Sequence, residues 1–187
     1  MLPSNKLFST RAEEPHLKPW SISRLNEFHF NQDGVTNHFI DDFLSRICSD
    51  KYKGTFAIDT IPLWLAHENY AFFVVNLNPH FIRNNGHFVT IITYPDGCLY
   101  IDSFGIGPPK QLEQFFGETK KRVSVNMQQV QTPSSNYCGL YCCLFILFFD
   151  RCFSSSPPNF TVKFFDRNLS KNDQKCVNYL KRLITEK

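Results

Sequence analysis

No apolar run in this chain is long enough to cross a bilayer. The longest, Cys142 to Phe149, is about half of the roughly 20 residues a span requires, so no membrane association is expected. The first residues, Met1-Leu2-Pro3-Ser4-Asn5-Lys6, carry no secretory apolar region, and no leader is expected. Seven cysteines are an odd number, and their spacings make no disulfide framework; a reducing compartment is expected. There is no C-x2-C pair, and the adjacent Cys142 and Cys143 would point apart on a helix, so no metal site is expected. No repeat or low-complexity tract occurs. Charge is also modest: a formal net of +3 permits a polyanion partner such as non-specific DNA without demanding one. The densest basic stretch, Lys120-Lys121-Arg122, reads as a solvated loop. No composition shift divides the 187 residues. The expected organisation is an extended arm over 1–20, with Pro3, Pro15 and Pro19, and a single domain over 21–187.

What the chain does have is phenylalanine. Twenty of them predict an aromatic-rich core. Ile40, Phe43, Leu44 and Ile47 recur at helical spacing and predict a helix over 36–48. Extended segments are expected at 53–59, 70–77, 88–94, 98–102 and 123–130. The run Tyr70 to Leu77 is almost wholly apolar, which fits a strand covered on both faces. Pro95-Asp96-Gly97 predicts a hairpin turn, with the glycine at a position where positive φ is cheap. Pro108-Pro109 predicts a short helix through Phe116, and Ser154 to Pro158 a loop. Ser170 with Asp173 predicts a capping box, followed by a helix with Val177, Leu180, Leu183 and Ile184 inward. The fold class is α+β.

The chemistry centres on Cys138. A polar turn, Gln131 to Tyr137, precedes it, and a helix-length apolar run follows. That places the thiol at a helix N-terminus, where unpaired N–H groups and the helix dipole favour a thiolate nucleophile. His87 heads one strand of the expected hairpin and Asp102 ends the other. Antiparallel pairing therefore brings them to the same edge of the sheet. Gln131 lies seven positions before Cys138 and can supply an amide donor. A thiol, an imidazole, an orienting carboxylate and an amide form the set that cysteine-protease chemistry needs. Rivals exist for three of them: His80 follows a proline break, Asp96 sits in the hairpin turn, and Gln128 and Gln129 are close to Gln131. Cys48, Cys142, Cys143 and Cys176 read as buried small apolar side chains.

The stretch from Gln131 to Cys143, Gln-x6-Cys-Gly-Leu-Tyr-Cys-Cys, closely resembles the nucleophile segment of adenain-like proteases. Phe72 to Pro79, Gly86-His87-Phe88, and Tyr100 to Gly105 with Pro108-Pro109 are similar to the wider group. That group includes maturation proteases of polinton-type elements and small DNA viruses and the SUMO/ubiquitin-like-protein proteases. The resemblance spans about residues 50 to 185. It implies a papain-like architecture, a central mixed sheet packed between helices. It implies His87 as base, Asp102 as its orienter, Cys138 as nucleophile and Gln131 as oxyanion donor. Phe88, Trp64, Asn136 and Gly139 are expected to contact substrate. Phe88 stands where most relatives have Trp. The implied activity is endoproteolysis of viral capsid or core precursors at small or Gly-containing motifs during virion maturation, by a monomer in the host nucleus and virion. Alternatives are deubiquitinating or deSUMOylating activity on host conjugates, or a protease-like binding module without turnover. No cofactor is implied for the chemistry, and stimulation by DNA or a viral peptide stays open. The region 119–125 lacks the cysteine that in adenain bonds an activating peptide.

Overall fold

Thr36 fixes where the first helix starts. Its side-chain oxygen accepts the Phe39 N–H at 3.2 Å, occupying a donor that a helix start leaves without an intrahelical partner. Helix α1 runs over Asn37–Ile47 and buries Phe39, Ile40, Phe43 and Leu44. On its outer side Arg46 pairs with Asp42 one turn back. The computed structural model describes residues 34–82, 86–152 and 165–185. The expected arm over 1–20 and the loop over 154–158 lie outside the described residues.

Five strands follow in sequence order across one sheet: β1 Tyr52–Ala57, β2 Ala71–Asn76, β3 Phe88–Tyr94, β4 Gly97–Ile101 and β5 Arg122–Val125. The outer pairs, β1–β2 and β4–β5, are parallel, and the inner pairs are antiparallel. The strands alternate between two apolar layers. Phe72, Val74, Phe88, Ile92 and Ile101 face one core. Ala71, Phe73, Val75, Val89, Ile91, Cys98 and Tyr100 face the other. Burial on both faces is why β2 reads as an almost continuous apolar run.

The first face is covered by α1, by helix α3 over Cys138–Cys152 and by helix α4 over Leu169–Thr185. Helix α3 is apolar nearly all round because it is buried nearly all round. Leu140 to Leu147 and Phe149 are all buried, while Phe148 and Arg151 reach solvent. The second face is covered by two 3₁₀ turns, Leu63–His67 and Lys110–Leu112, and by the short helix α2 over Glu113–Thr119. The mixed sheet between helical layers is the α+β architecture expected from sequence.

Three local expectations are corrected. The strand expected over 123–130 pairs only as far as Val125. Beyond it Asn126 turns the chain: its N–H bonds Tyr100 O at 2.9 Å, and its amide bonds Asp102 O and Gln128 O. Gly97 does not sit at positive φ. It opens β4 opposite Tyr94, where a Cβ would lie 2.2 Å from the tyrosine ring, so the glycine serves close approach. Helix α4 is started by Asn168, whose side chain accepts the Lys171 N–H, rather than by Ser170. Asp173 is turned inward instead, onto Tyr141 and Thr132.

The register fixes one end of the sheet as the place where function converges. Asn76 pairs with Phe88, Thr90 with Ile101, and Tyr100 with Val125. The start of β3 and the ends of β2, β4 and β5 therefore share that end.

Candidate active site

His87 immediately precedes β3 and Asp102 immediately follows β4. Their side chains meet as the hairpin reading expects: His87 Nε2–H donates to Asp102 Oδ1 at 2.9 Å. Asp102 is only 1 % exposed. The same oxygen accepts the Phe104 N–H at 2.7 Å, and the Asp102 carbonyl accepts the Gly105 N–H at 2.9 Å. Gly105 holds φ at +70°, and a Cβ there would lie 2.7 Å from the backbone of Gln128 and Gln129. That explains the Asp-Ser-Phe-Gly order. The carboxylate is locked by a turn that only glycine closes readily.

Cys138 is the first residue of α3 and is nearly buried. It hydrogen-bonds the His87 side chain. Burial alone would push the imidazole down. The hydrogen bonds to Asp102 and Cys138, and the charges on both, outweigh it and raise His87 from 6.5 to about 9. That direction favours the imidazolium in the neutral range. The structure thus joins the predicted thiol, imidazole and carboxylate into one continuous chain.

Gln131 is fully buried. Its Oε1 accepts the Ser103 hydroxyl at 2.6 Å, and its Nε2 donates to Ser135 O at 2.7 Å. A primary amide carries two N–H bonds, so one remains after the bond to Ser135. The neighbouring backbone is clamped from both sides. The N–H groups of Val130 and Gln131 both bind Ser103 O, at 2.9 and 3.1 Å. From α4, Asn172 donates to Val130 O at 3.1 Å, and Asp173 accepts the Thr132 hydroxyl and the Tyr141 hydroxyl. Of the rivals, His80 pairs with Asp59 instead, at 2.7 Å, and Asp96 sits in the hairpin turn. Gln129 donates to Gln131 O at 2.9 Å, and Gln128 is exposed.

The residues expected to contact substrate fare differently. Phe88 is 3 % exposed and packs in the core beneath α3, so it cannot wall an open channel. The aromatic on the imidazole is Phe104, which stacks on His87 with centroids 5.0 Å apart and 27° between planes. Gly139 is buried, and a Cβ there would lie 2.4 Å from Val35 and 3.1 Å from Ile40. Its visible role is to let α1 approach the first turn of α3. Trp64 is 54 % exposed, on the turn whose Leu65 and Ala66 pack on the sheet face opposite α3. Asn136 is exposed two positions before the nucleophile, with its carbonyl close over Gly34. Among the described residues no group of three or more His, Cys, Asp or Glu is placed to hold a metal ion.

Sequence reasoning missed Phe104, Ser103 and Asp173. Phe104 and Ser103 could have been found from the turn that Gly105 closes, because a tight turn folds the residues after Asp102 back onto it. Asp173 carried no such signal; its partners lie far away along the chain.

With this geometry in view, residues 119–178 match a family model described as adenovirus endoprotease. The matched segment carries both Gln131 and Cys138. The chain is a cysteine peptidase that resembles the adenovirus endoproteases over this segment. The peptidase is similar in fold to the crystal structure of an ASFV protease, with a TM-score of 0.56 at 16 % identity, covering 82 % of this chain and 68 % of that one. The Ulp1 protease domain solved in complex with SMT3, the yeast ortholog of SUMO, aligns with a TM-score of 0.49 at 13 % identity, over 84 % of this chain and 79 % of that one. No match to a curated protein was found. Chemistry of this peptidase type needs no cofactor.

Proposed function

We propose that the peptidase is an endopeptidase that cleaves viral structural precursors at small or Gly-containing motifs during particle maturation. Such substrates would place its work in the host nucleus and the virion. The observation that carries this reading is the coincidence of two findings. The adenovirus endoprotease match falls on the segment bearing Gln131 and Cys138, and that segment is coupled to the His87–Asp102 pair. Phe104, stacked on His87, sets an aromatic ring beside the proposed base, and a bulky wall there would suit small residues at the cleavage point.

In this reading Cys138 is the nucleophile and His87 its proton partner. The thiolate adds to the scissile carbonyl. The second N–H of Gln131 and the Cys138 backbone N–H, which has no intrahelical acceptor at a helix start, receive the oxyanion. The His87 imidazolium protonates the leaving amine. The neutral imidazole then takes a proton from water, and the resulting hydroxide releases the acid from the thioester. Asp102 keeps the ring oriented and cationic. One oxyanion donor is worth about 10² to 10³ in rate.

The test is co-expression with capsid and core precursors, wild type beside Cys138→Ala, with new termini mapped. Wild type should process the precursors and the variant should not. A parallel arm offers ubiquitin-like conjugates ending in Gly-Gly. Cleavage of those alone would replace precursor maturation by a host-directed activity. Full activity in Cys138→Ala would remove the nucleophile assignment.

A further inference from the structure

An oxyanion donor must present nitrogen, not oxygen, to the developing charge. The two ends of a glutamine amide are nearly the same shape, so a buried Gln131 needs something to choose between them. Ser135 O only accepts, which demands Nε2 on its side. On the other side lies the hydroxyl of Ser103, 2 % exposed and 2.6 Å from Oε1. A hydroxyl can donate, so this contact satisfies Oε1 and holds the amide in the orientation that leaves one N–H unspent.

We infer that Ser103 is the positioning residue of the oxyanion donor, fixing the Gln131 amide through its side chain. The inference rests on the proposed role of Gln131 and extends it. Ser103 is well suited to the task because its own carbonyl also holds the Val130 and Gln131 N–H groups. Those backbone bonds survive removal of the hydroxyl. Ser103→Ala therefore strips out the amide lock while leaving the loop tied. Without the hydroxyl, Oε1 becomes a buried acceptor with no partner, and the bond to Ser135 O is left to hold the amide alone, so the productive pose is less firmly kept. The placement of Ser103 next to Asp102 also means that one dipeptide aligns both the base and the oxyanion donor.

The experiment compares wild type, Ser103→Ala, Gln131→Ala and the double variant on an internally quenched peptide carrying a site mapped in the precursor assay. Gln131→Ala should lower kcat by about 10² to 10³. Ser103→Ala should lower kcat by roughly tenfold or more with KM within about twofold, since the lost contact acts on the transition state. The double variant should match Gln131→Ala within about twofold, because Ser103 works only through Gln131. A peptide aldehyde, whose adduct oxygen occupies the same position, should bind more weakly to both single variants. Alkylation of Cys138 by iodoacetamide and the alkaline limb of the pH profile should be unchanged in Ser103→Ala, which a general structural lesion would not allow. Losses that multiply in the double variant, or full kcat in Ser103→Ala while Gln131→Ala is impaired, would overturn the role of Ser103 alone. Full kcat in Gln131→Ala would overturn the oxyanion assignment, and the positioning role with it.

Discussion

Asp102→Asn removes a charge and keeps a shape. Asparagine can place Oδ1 where it still accepts from both His87 and the Phe104 N–H, at 2.9 and 2.7 Å in the wild type. What disappears is the negative charge that helps hold His87 raised from 6.5 to about 9. The whole of that shift corresponds to about 3 kcal/mol, shared between Asp102 and Cys138. In the variant, burial acts against a weaker opposition, and the imidazolium gives up its proton at lower pH. The expected result is a kcat/KM profile whose alkaline limb lies at lower pH than in the wild type, with a loss at the optimum of about 10² to 10⁴. Stability follows the same sign. A raised histidine contributes stability that is fully present below about 6.5 and is lost as pH rises through about 9. The melting-temperature gap between wild type and Asp102→Asn should therefore be largest near pH 6 and shrink above pH 9. The assay is peptide hydrolysis across pH 5 to 10 beside thermal melts in the same buffers. An alkaline limb at the same pH in both proteins would refute the claim that Asp102 sustains the imidazolium.

Three further outcomes test the scaffold. Gly139→Ala puts a methyl 2.4 Å from Val35 and should cost about 1–3 kcal/mol in chemical denaturation, through overpacking where α1 meets α3. Asp173→Ala deprives the half-buried Thr132 hydroxyl and the buried Tyr141 hydroxyl of an acceptor and should cost about 1–3 kcal/mol, read as a lower urea midpoint at unchanged slope. Thr36→Ala removes the cap of α1 and should cost about 1 kcal/mol, a fall of roughly 2–4 °C in melting temperature with kcat unchanged.

The parts of the site that could be read from sequence are those set by short-range geometry. His87 and Asp102 belong to one hairpin, so strand length and turn position alone put them together. Cys138 was legible because a polar turn before a long apolar run can hardly be anything other than a helix start. Gln131 stood out by its spacing to Cys138. The misreadings have equally physical causes. The 123–130 run has alternation suited to a strand, but Asn126 satisfies its own backbone surroundings better by turning. Phe88 follows the histidine, and strand alternation sends it to the face opposite its neighbour, into the core under α3. Gly97 looked like a turn residue because glycine beside Asp and Pro usually is one; the ring of Tyr94 needed the space instead. Asp173 acts through tertiary contacts that no local pattern encodes.

The base and its carboxylate come from neighbouring strands of a single hairpin, while the sulfur arrives on a helix packed over that hairpin. During synthesis the first half of the machinery can form as soon as the hairpin closes. It stays harmless until the later helix docks and carries the thiol to it. A nascent or partly unfolded copy is thus chemically silent, and cutting power appears only together with the finished core.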